Sequence, residues 1–330
     1  MTLMQRYFDR LILGLVKLWI IVRAYPHWRK HIARMKKMGV KTVRVTLPVL
    51  ADEKFFWRKV FDHDPRFITM TDKIACKEWV KSQKIDAKTA AVLWVGRDAN
   101  DIPDALWERP CYLKASHGFN MNIPILSPPK DRAEIIAKAN SFLGLEHGRE
   151  SNEWAYRHVP RRLLLEEALF VDQPMIEVKY YTFGPVVEQF VLTRNGQPTV
   201  AARWVRQIDG SFLRDTKPTT HGPEIDPAPL PPSVELGLKL ASEIGASFDQ
   251  IRVDTMSDDE TVYLGEVTVY NESGRFNLYG HIKGSHLNRS WDLRNAWFLK
   301  ERQPWPWRIY ANVLRRVLDR REVREKARNL

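Results

Sequence analysis

The sequence predicts an α+β protein with more than one lobe. Its 330 residues exceed the usual size of one compact domain, and 44% apolar and 28% charged residues are typical of a globular chain. Apolar residues recur at helical spacing near the amino terminus, as in Leu11, Leu15 and Leu18. Alternating apolar runs, separated by Gly-Pro and Asn-Gly turns, predict an antiparallel meander over residues 176–205. These observations exclude a disordered or fibrous chain.

Two basic segments flank a slightly acidic body. The formal net charge is +12, yet residues 1–44 contain eleven Lys and Arg against one acid, and residues 294–330 contain eleven against four. The body, residues 45–293, contains thirty against thirty-five. A groove for nucleic acid needs its basic residues in the fold itself, along the path of the phosphates. The charge distribution therefore predicts no nucleic-acid partner.

The segment 1–44 is expected to form an amphipathic helical region broken at Tyr25-Pro26. Its apolar run Leu11–Val22 is interrupted by Lys17 and is shorter than the roughly 20 residues that span a bilayer. Two interpretations remain open. The helix packs on the core with a solvated basic face, or it lies on an anionic membrane surface. With only two cysteines in the chain, we expect a cytoplasmic protein, peripheral on the inner face of the cell membrane under the second interpretation.

The body is expected to contain two further parts, followed by a basic helix at the carboxyl end. Residues 45–110 form a small mixed lobe, and a short strand is expected over residues 40–46 at its start. Residues 111–293 contain most of the predicted strands and the candidate nucleotide-binding and catalytic residues. Residues 294–330 show the pattern of a basic amphipathic helix.

The sharpest feature is a β-hairpin over residues 250–268. Alternate residues of a strand share one face, so Arg252 and Asp254 project together, as do Glu266 and Thr268. The turn of the hairpin places Asp254 opposite or nearly opposite Glu266. Two carboxylates this close repel each other unless a positive group lies between them, and Mg²⁺ with phosphate oxygens suits that position. The alternative is a pair of solvated carboxylates on an ordinary strand.

Two lysines and a pair of acids suggest a nucleotide site. Lys114 lies at a strand end before a loop that contains Gly118, an arrangement that suits a polyphosphate. Lys179 lies in mid-strand, where its charge must reach solvent or a charged ligand. An apolar strand ends on Glu166 and Glu167, where an adenine-binding hinge can form. Each feature has an ordinary alternative, a surface lysine or an edge strand that leaves the core.

Several short segments follow one another in order along the body of the chain. They are Val45–Pro48, Glu53-Lys54, Asp64-Pro65, Thr71–Lys73, Glu78–Val80, Lys114–Gly118, Leu165–Glu167, Lys179–Gly184, Arg252–Asp254 and Gly265–Thr268. In this order the chain resembles the TupA-like ATP-grasp family over about residues 45–275. The resemblance implies the ATP-grasp fold, two α+β lobes that clasp ATP, here with flanking basic amphipathic helices. Members are associated with bacterial cell-surface polysaccharide and teichuronopeptide synthesis.

The resemblance also implies which residues bind the ATP phosphates and the metal. Lys114 and Lys179 would contact the phosphates, and the His117-Gly118 loop would fold over them. Mg²⁺ would be bound by two carboxylates, and the catalytic cations would act on the transferred phosphoryl group or the acyl-phosphate. The metal ligands are Asp254 and Glu266, and the catalytic residues are Arg252 and Lys179.

The adenine and ribose positions follow from the same resemblance. Glu166 and Glu167 would border the adenine, with backbone contacts from Leu169, and Glu177 would take the ribose. One departure concerns the metal. ATP-grasp ligases often place Asn two residues after the second metal carboxylate, and here that residue is Thr268, a poorer ligand.

The function implied is an ATP-dependent carboxylate–amine ligase that works through an acyl-phosphate. Its substrates would be small or polymer-linked carboxylates and amines, and the amide would form on a uronic acid or amino-acid component of a surface polysaccharide. One alternative is a glycosyltransferase or phosphotransferase of the same pathway, suggested by the acidic turn Asp258-Asp259. Another is a non-catalytic ATP-binding assembly factor, suggested by Thr268.

Overall fold

The structure is a computed structural model that describes residues 3–326 except 172, 196–198, 218, 220–223, 226–227, 277–280 and 284. The helices are α1 (Leu3–Arg23), α2 (Tyr25–Lys37), α3 (Ala51–Phe61), α4 (Arg66–Thr71), α5 (Lys73–Ser82), α6 (Arg132–Phe142), α7 (Ser233–Gly245), α8 (His286–Ser290), α9 (Trp297–Lys300) and α10 (Trp307–Lys326). The strands are β1 (Lys88–Thr89), β2 (Val92–Gly96), β3 (Cys111–Ala115), β4 (Asn122–Ile125), β5 (Leu163–Glu167), β6 (Ile176–Phe183), β7 (Val186–Arg194), β8 (Val200–Arg206), β9 (Phe212–Arg214), β10 (Glu224–Ile225), β11 (Ile251–Ser257) and β12 (Val262–Thr268).

The chain forms two compact units. Unit 1 comprises residues 1–64, 150–152 and 270–330, and unit 2 comprises residues 65–149 and 153–269. Unit 1 therefore joins the two ends of the chain, and unit 2 contains the sheets. The boundaries predicted between the four segments of the chain, after residues 44, 110 and 293, stay predictions.

Unit 1 is helical, with an aromatic core around α3, α9 and α10. Phe61 packs against Phe298 and Tyr310, with ring centroids 5.7 and 4.9 Å apart. Trp57 Nε1 donates to Tyr310 Oη at 2.8 Å, and the Tyr310 hydroxyl donates to the Thr46 carbonyl at 2.9 Å, so the buried indole and phenol both have partners. The basic helix predicted near the carboxyl end is α10, and its apolar side helps to build this core.

The strand predicted over residues 40–46 is wrong, because this segment forms bends ahead of α3. The buried carboxylate of Glu53 explains the difference. It accepts hydrogen bonds from the backbone N–H groups of Arg44, Val49 and Leu50 at 2.7 to 3.0 Å. These donors are therefore satisfied by a side chain at the start of a helix rather than by a neighbouring strand.

Unit 2 contains two sheets. The small sheet has the strand order β2-β5-β3-β4, and its core side is filled by residues such as Leu113, Ile123 and Leu165. The large sheet has the order β1-β12-β11-β6-β7-β8-β10, with β9 paired to β8. The predicted meander is confirmed as the antiparallel strands β6, β7 and β8. Part of its predicted Asn-Gly turn, Gly196, lies outside the described residues.

Helix α5 is fixed in unit 2 by its first residues. The Asp72 carboxylate accepts from Ile74 N at 2.9 Å and from Ala75 N at 3.4 Å, which caps the helix. Its second oxygen accepts from Arg162 at 2.8 Å, just before β5 begins. This connection sets the position of Lys73 and Lys77, one helical turn apart. Among the described residues, no helix is long and apolar enough to cross a membrane.

Candidate active site

The candidate active site begins with one row of charged residues on the large sheet of unit 2. Lys179 of β6 pairs with Asp254 of β11, and Asp254 pairs with Glu266 of β12. Residues directly opposite one another across a sheet point to the same face, so this row presents one cation and two carboxylates together. The predicted opposition of Asp254 and Glu266 is confirmed. Gly265 is the extra residue of a bulge beside this pair.

Arg252 lies in the next row and bonds to both carboxylates. Its Nε and Nη2 atoms donate to Asp254 Oδ1 and Oδ2 at 2.6 and 2.5 Å. Nη2 also donates to Glu266 Oε1 at 3.2 Å and to Thr268 Oγ1 at 3.0 Å. The Thr268 hydroxyl donates to Glu266 Oε1 at 3.0 Å. Arg252 therefore supplies the positive group between the two carboxylates in this structure, and Thr268 orients Glu266.

The surroundings shift the pKa values of Asp254 and Glu266 in opposite directions. Burial raises the pKa of Asp254 to about 6, against the opposing charge of Arg252. Burial acts on Glu266 in the same direction, but the charges of Arg252 and Lys73 outweigh it, so the pKa of Glu266 lies below its ordinary value. As the pH falls from 7, Asp254 is the first of the pair to become neutral.

The carboxylates of Asp254 and Glu266 fit Mg²⁺ in their donor chemistry. Mg²⁺ is usually bound through one or two carboxylates, and water and substrate phosphates complete its octahedron. The side chain of Glu266 is 49% exposed, and among the described residues only its Oε1 atom has a hydrogen-bond partner. No group of three or more metal-ligating side chains occurs in the part of the chain that the structure describes. The donor set therefore suits a metal that takes most ligands from phosphate and water.

The small sheet contributes a second charged group, centred on Glu166. This buried carboxylate accepts one hydrogen bond from Lys114 on β3 and one from Lys77 on α5. Burial favours the neutral acid, but the two lysine charges outweigh it and hold the pKa of Glu166 below its ordinary value. Lys77 also donates to the Ala90 carbonyl at 2.7 Å. Glu166 therefore fixes two ammonium groups at one place.

Lys73 connects the two charged groups. It is the first residue of α5, and its ammonium donates to the carbonyl of Gly118. Burial lowers the pKa of Lys73, the negative charge of Glu266 opposes that shift, and the positive charge of Lys114 adds to it. Because Glu266 belongs to the large sheet and Lys114 to the small sheet, charges of both sheets act on Lys73.

The loop after β3 is held close to His147. A side chain at Gly118 would meet His147 Cδ2 at 2.5 Å and Met121 Cε at 2.4 Å, so only glycine permits this packing. The ring of His117 is buried, and burial lowers its pKa. At neutral pH the buried His117 is therefore uncharged, and the part of this loop that meets the charged cluster is the Gly118 carbonyl.

The residues expected around adenine and ribose lie on two strands. Glu167 ends β5 and is half-buried, and no described residue forms a hydrogen bond with the backbone of Leu169, two residues further on. On β6, Glu177 pairs with Lys179 at 2.5 Å, because alternate residues of the strand share a face. Glu177 thus holds Lys179 at one end of the row that continues through Asp254 to Glu266.

Sequence reasoning assigned no role to Lys73 and Lys77. Their spacing of four residues places both on one face of α5, and this spacing is the feature of the sequence from which a shared task could be predicted. What the spacing does not give is the partner that this face meets, Glu166 on a strand about ninety residues later. The acidic turn at Asp258 has a local use instead. Its carboxylate accepts from Glu260 N at 3.1 Å and from Thr261 N at 2.8 Å, which closes the hairpin.

Taken together, unit 2 presents two opposed carboxylates and four cations, two of them beside the carboxylates on the large sheet and two on α5 and the small sheet, an arrangement suited to a polyphosphate. The sequence model of the TupA-like ATPgrasp family matches residues 53–281, more than half of the chain. The chain therefore belongs to this family. The predictions of the family and of an α+β ATP-grasp fold are confirmed. The cations are Lys73, Lys114, Lys179 and Arg252.

Solved structures with a similar fold include several ligases. The D-alanine–D-alanine ligase of Helicobacter pylori is 16% identical, with 74% of this chain and 69% of that chain covered and a TM-score of 0.41. The enzyme of the same name from Bacillus anthracis is 14% identical, with 78% and 69% covered and a TM-score of 0.37. An L-amino acid ligase from Bacillus licheniformis is 15% identical, with 62% and 44% covered and a TM-score of 0.37. The comparison with curated proteins finds no match.

Proposed function

We propose that the protein is an ATP-dependent carboxylate–amine ligase. The observation that carries the proposal is the cluster of four cations and two opposed carboxylates in unit 2 of an ATP-grasp family member. In the first step, a substrate carboxylate oxygen attacks the γ-phosphorus of ATP, ADP leaves, and an acyl-phosphate forms. In the second step, an amine attacks the acyl carbon, phosphate leaves, a proton passes to solvent, and an amide forms.

The cations have distinct tasks in this proposal. Lys114 and Lys73 come from the small sheet and α5, and they neutralise the phosphates of ATP. Lys179 and Arg252 come from the large sheet, and they act on the transferred phosphoryl group, whose charge is spread over its oxygens. Asp254 would hold Mg²⁺ together with Glu266, and the metal would supply charge neutralisation at the phosphates.

The adenosine contacts belong to the same proposal. Glu166 and Glu167 border the adenine, the free backbone groups of Leu169 contact its edge, and Glu177 takes the ribose. The position of Glu166 supports a second task, because it fixes Lys114 and Lys77 beside the nucleotide. Because the ring of His117 is buried, its loop would contact the phosphates through backbone groups.

The proposed substrates are a carboxylate and an amine, one of which is linked to a polymer. By the association of the family, the carboxylate belongs to a uronic acid or amino-acid component of a bacterial cell-surface polysaccharide. The fold by itself does not select a substrate, so this class rests on the family alone.

Amine-dependent release of ADP tests the proposed chemistry. Purified protein is incubated with ATP, Mg²⁺ and candidate acid–amine pairs, and Asp254→Asn should lower ADP release at least a hundredfold, because a carboxylate beside the phosphates is lost. Asp259→Asn is the matched control, since it changes an exposed carboxylate of the hairpin turn and should keep wild-type activity. Amine-dependent turnover that persists in Asp254→Asn would contradict the assigned role, and binding of ATP without turnover with any pair would favour an assembly factor.

We further propose that α1 attaches unit 1 to an anionic membrane surface. Large apolar side chains form a stripe along this helix at spacings of three and four residues, and they are 44–80% exposed. Basic residues flank the stripe, and a cationic amphipathic helix of this kind lies in the interface of anionic lipids. The stripe consists of Met4, Phe8, Leu11, Leu15, Leu18 and Val22.

The opposite side of α1 packs on unit 1. Val16 and Ile20 are buried, and Trp19 contacts Trp307 with ring centroids 4.5 Å apart. Packing on the core therefore accounts for one face of the helix, and it leaves the exposed stripe for another partner. In this proposal, each interpretation of the N-terminal segment describes a different face of the helix.

A further inference from the structure

A cavity lies in unit 1, and none of its lining residues is assigned to ATP. It has a volume of about 250 Å³ and is lined by α2, α3, the segment 150–152 and the segment 273–275. We call it the basic pocket. Its cationic and imidazole side chains are His27, Lys30, His31, Arg34, Lys59 and Arg275, and its only acidic lining residue among those described is Glu150.

Three of the cations of the basic pocket have described partners that orient them. Lys59 donates to the carbonyls of Ser151 and Ser273 at 2.7 and 2.6 Å. Arg275 Nε donates to the Glu272 carbonyl at 2.7 Å. Arg34 lies 3.4 Å from the buried carboxylate of Asp52. Among the described lining residues, four cations (Lys30, Arg34, Lys59 and Arg275) face one acid, Glu150, so positive charge is in excess around the cavity.

The packing of Lys59 requires a glycine on the opposite wall. Gly274 has a φ of +79°, and a side chain there would meet Lys59 Cε at 2.8 Å. The backbone of residues 273 and 274 adopts positive φ angles in succession, which brings the Ser273 carbonyl onto the ammonium. The wall is thus built around the charge of Lys59.

His31 reports the electrostatic potential of the basic pocket. Burial, and then the positive charges of Arg34 and Lys59, lower the pKa of His31 to about 3. Its ring stacks on Phe56 with centroids 4.5 Å apart, and its buried Nε2 atom has no hydrogen-bond partner among the described residues. Burial is the larger cause of this shift, and the smaller contribution from Arg34 and Lys59 has the sign expected beside a group of cations, which attract an anion.

We propose that the basic pocket binds a phosphate group, either as inorganic phosphate or as the phosphate of a sugar monoester. Four cationic side chains from three chain segments exceed what a carboxylate, with one charge and two oxygens, engages. A phosphate monoester carries about −1.5 to −2 charge at pH 7 and has three acceptor oxygens, and arginine and lysine are its common partners. The cavity has room for a phosphate with a small attached group.

Equilibrium binding of inorganic phosphate to the full-length protein, at fixed ionic strength, tests the proposal. Lys30→Glu and Arg275→Glu should each weaken binding at least tenfold. Lys36→Glu is the matched control, because Lys36 is an exposed residue of the same helix α2 outside the pocket and the charge change is equal. It should change the affinity less than twofold. Lys30→Met and Arg275→Met, with circular dichroism to confirm folding, should weaken binding in the same order.

Two further measurements distinguish a sugar monoester from free phosphate, and the basic pocket from the candidate active site. Glucose 1-phosphate that binds more tightly than phosphate identifies a sugar monoester as the ligand class, and equal or weaker binding identifies free phosphate. Lys114→Met, in the candidate active site, should leave this binding unchanged. The proposal is overturned if wild-type protein shows no saturable phosphate binding at millimolar concentration, if acetate binds equally well, if Lys36→Glu weakens binding as much as Lys30→Glu, or if Lys114→Met alone abolishes it.

Discussion

At the scale of single residues, the site depends on how each charge is balanced. Arg252 holds Asp254 and Glu266, so this half of the site has one negative charge in excess, while Glu166 holds Lys114 and Lys77, so the other half has one positive charge in excess. Lys73 belongs to neither half by sequence position, yet its charge acts on both. A ligand with several phosphates can exchange with such internal partners without leaving buried charges unpaired.

Removal of Lys73 should therefore affect ATP more than stability. We expect Lys73→Met to weaken binding of a non-hydrolysable ATP analogue about tenfold to a hundredfold, since a hydrogen bond to a charged group contributes about 1.5–3 kcal/mol. Isothermal titration calorimetry measures the affinity, and a thermal melt measures stability. Lys81→Met, at the exposed far end of the same helix, is the control. An unchanged affinity with a lowered Tm would show that Lys73 only supports the Gly118 loop.

At the scale of elements, local pattern determines most of what is observed. The hairpin of β11 and β12 has the predicted pairing because alternation and a short acidic turn together fix the register of an antiparallel pair. The segment 40–46 departs from its prediction because its Arg44 N–H, with those of Val49 and Leu50 just after it, bonds to the Glu53 carboxylate instead of to a neighbouring strand. In helix α1, the amphipathic period follows from the local sequence, whereas tertiary packing determines which side of the helix stays exposed.

The exposed stripe of α1 should decide membrane binding. We expect the double variant Leu11→Gln/Leu15→Gln to weaken binding to phosphatidylglycerol-containing vesicles at least tenfold, because burial of one leucine contributes about 1.5–3 kcal/mol. Wild-type binding should also weaken with added salt, which screens the basic flanks. Vesicle co-sedimentation measures both effects.

The matched control for α1 is Leu213→Gln/Leu236→Gln, which changes two exposed leucines of unit 2. It should bind vesicles as the wild type does. A different outcome would contradict the membrane proposal: the wild-type protein does not bind vesicles but dimerises in sedimentation experiments, and the α1 variant stays monomeric. The stripe would then be covered by a second copy of the chain.

At the scale of the whole molecule, the two ends of the chain are joined within unit 1. Asp9 of α1 is buried and accepts from Arg316 and Arg320 of α10, both at 2.7 Å, and from Gln5 at 3.2 Å. The two predicted basic flanks are therefore not independent appendages, because one carboxylate in the first and two arginines in the second hold them together.

The loss of this connection should destabilise the protein. We expect Asp9→Asn to lower the free energy of unfolding by about 1–3 kcal/mol, as for hydrogen bonds to charged groups. Asp319→Asn, an exposed acid of α10, should cost about 0.5 kcal/mol or less. Burial opposes ionisation of Asp9, but its hydrogen bonds with the arginines outweigh burial, and its pKa is lowered. Its contribution is thus complete above the unfolded pKa and is lost as the pH falls through the folded pKa.

Urea unfolding at pH 7 and at pH 3 measures both parts of this prediction. The difference between wild type and Asp9→Asn should shrink at the lower pH, where the Asp9 carboxylate is increasingly protonated in the folded protein as well. An equal difference at both values would mean that the two arginines hold α1 through another group.

The sequence by itself determined the α+β class, the meander and the hairpin of the large sheet, the opposition of Asp254 and Glu266, and the charge segregation between ends and body. These properties depend on local spacing, which the chain carries in consecutive residues. Only the tertiary structure decided that α5 supplies Lys73 and Lys77 to the site. It also decided that Arg252 bridges the carboxylates and that α1 turns an apolar stripe outward. Such contacts join residues far apart in the chain, and packing rather than local spacing selects them.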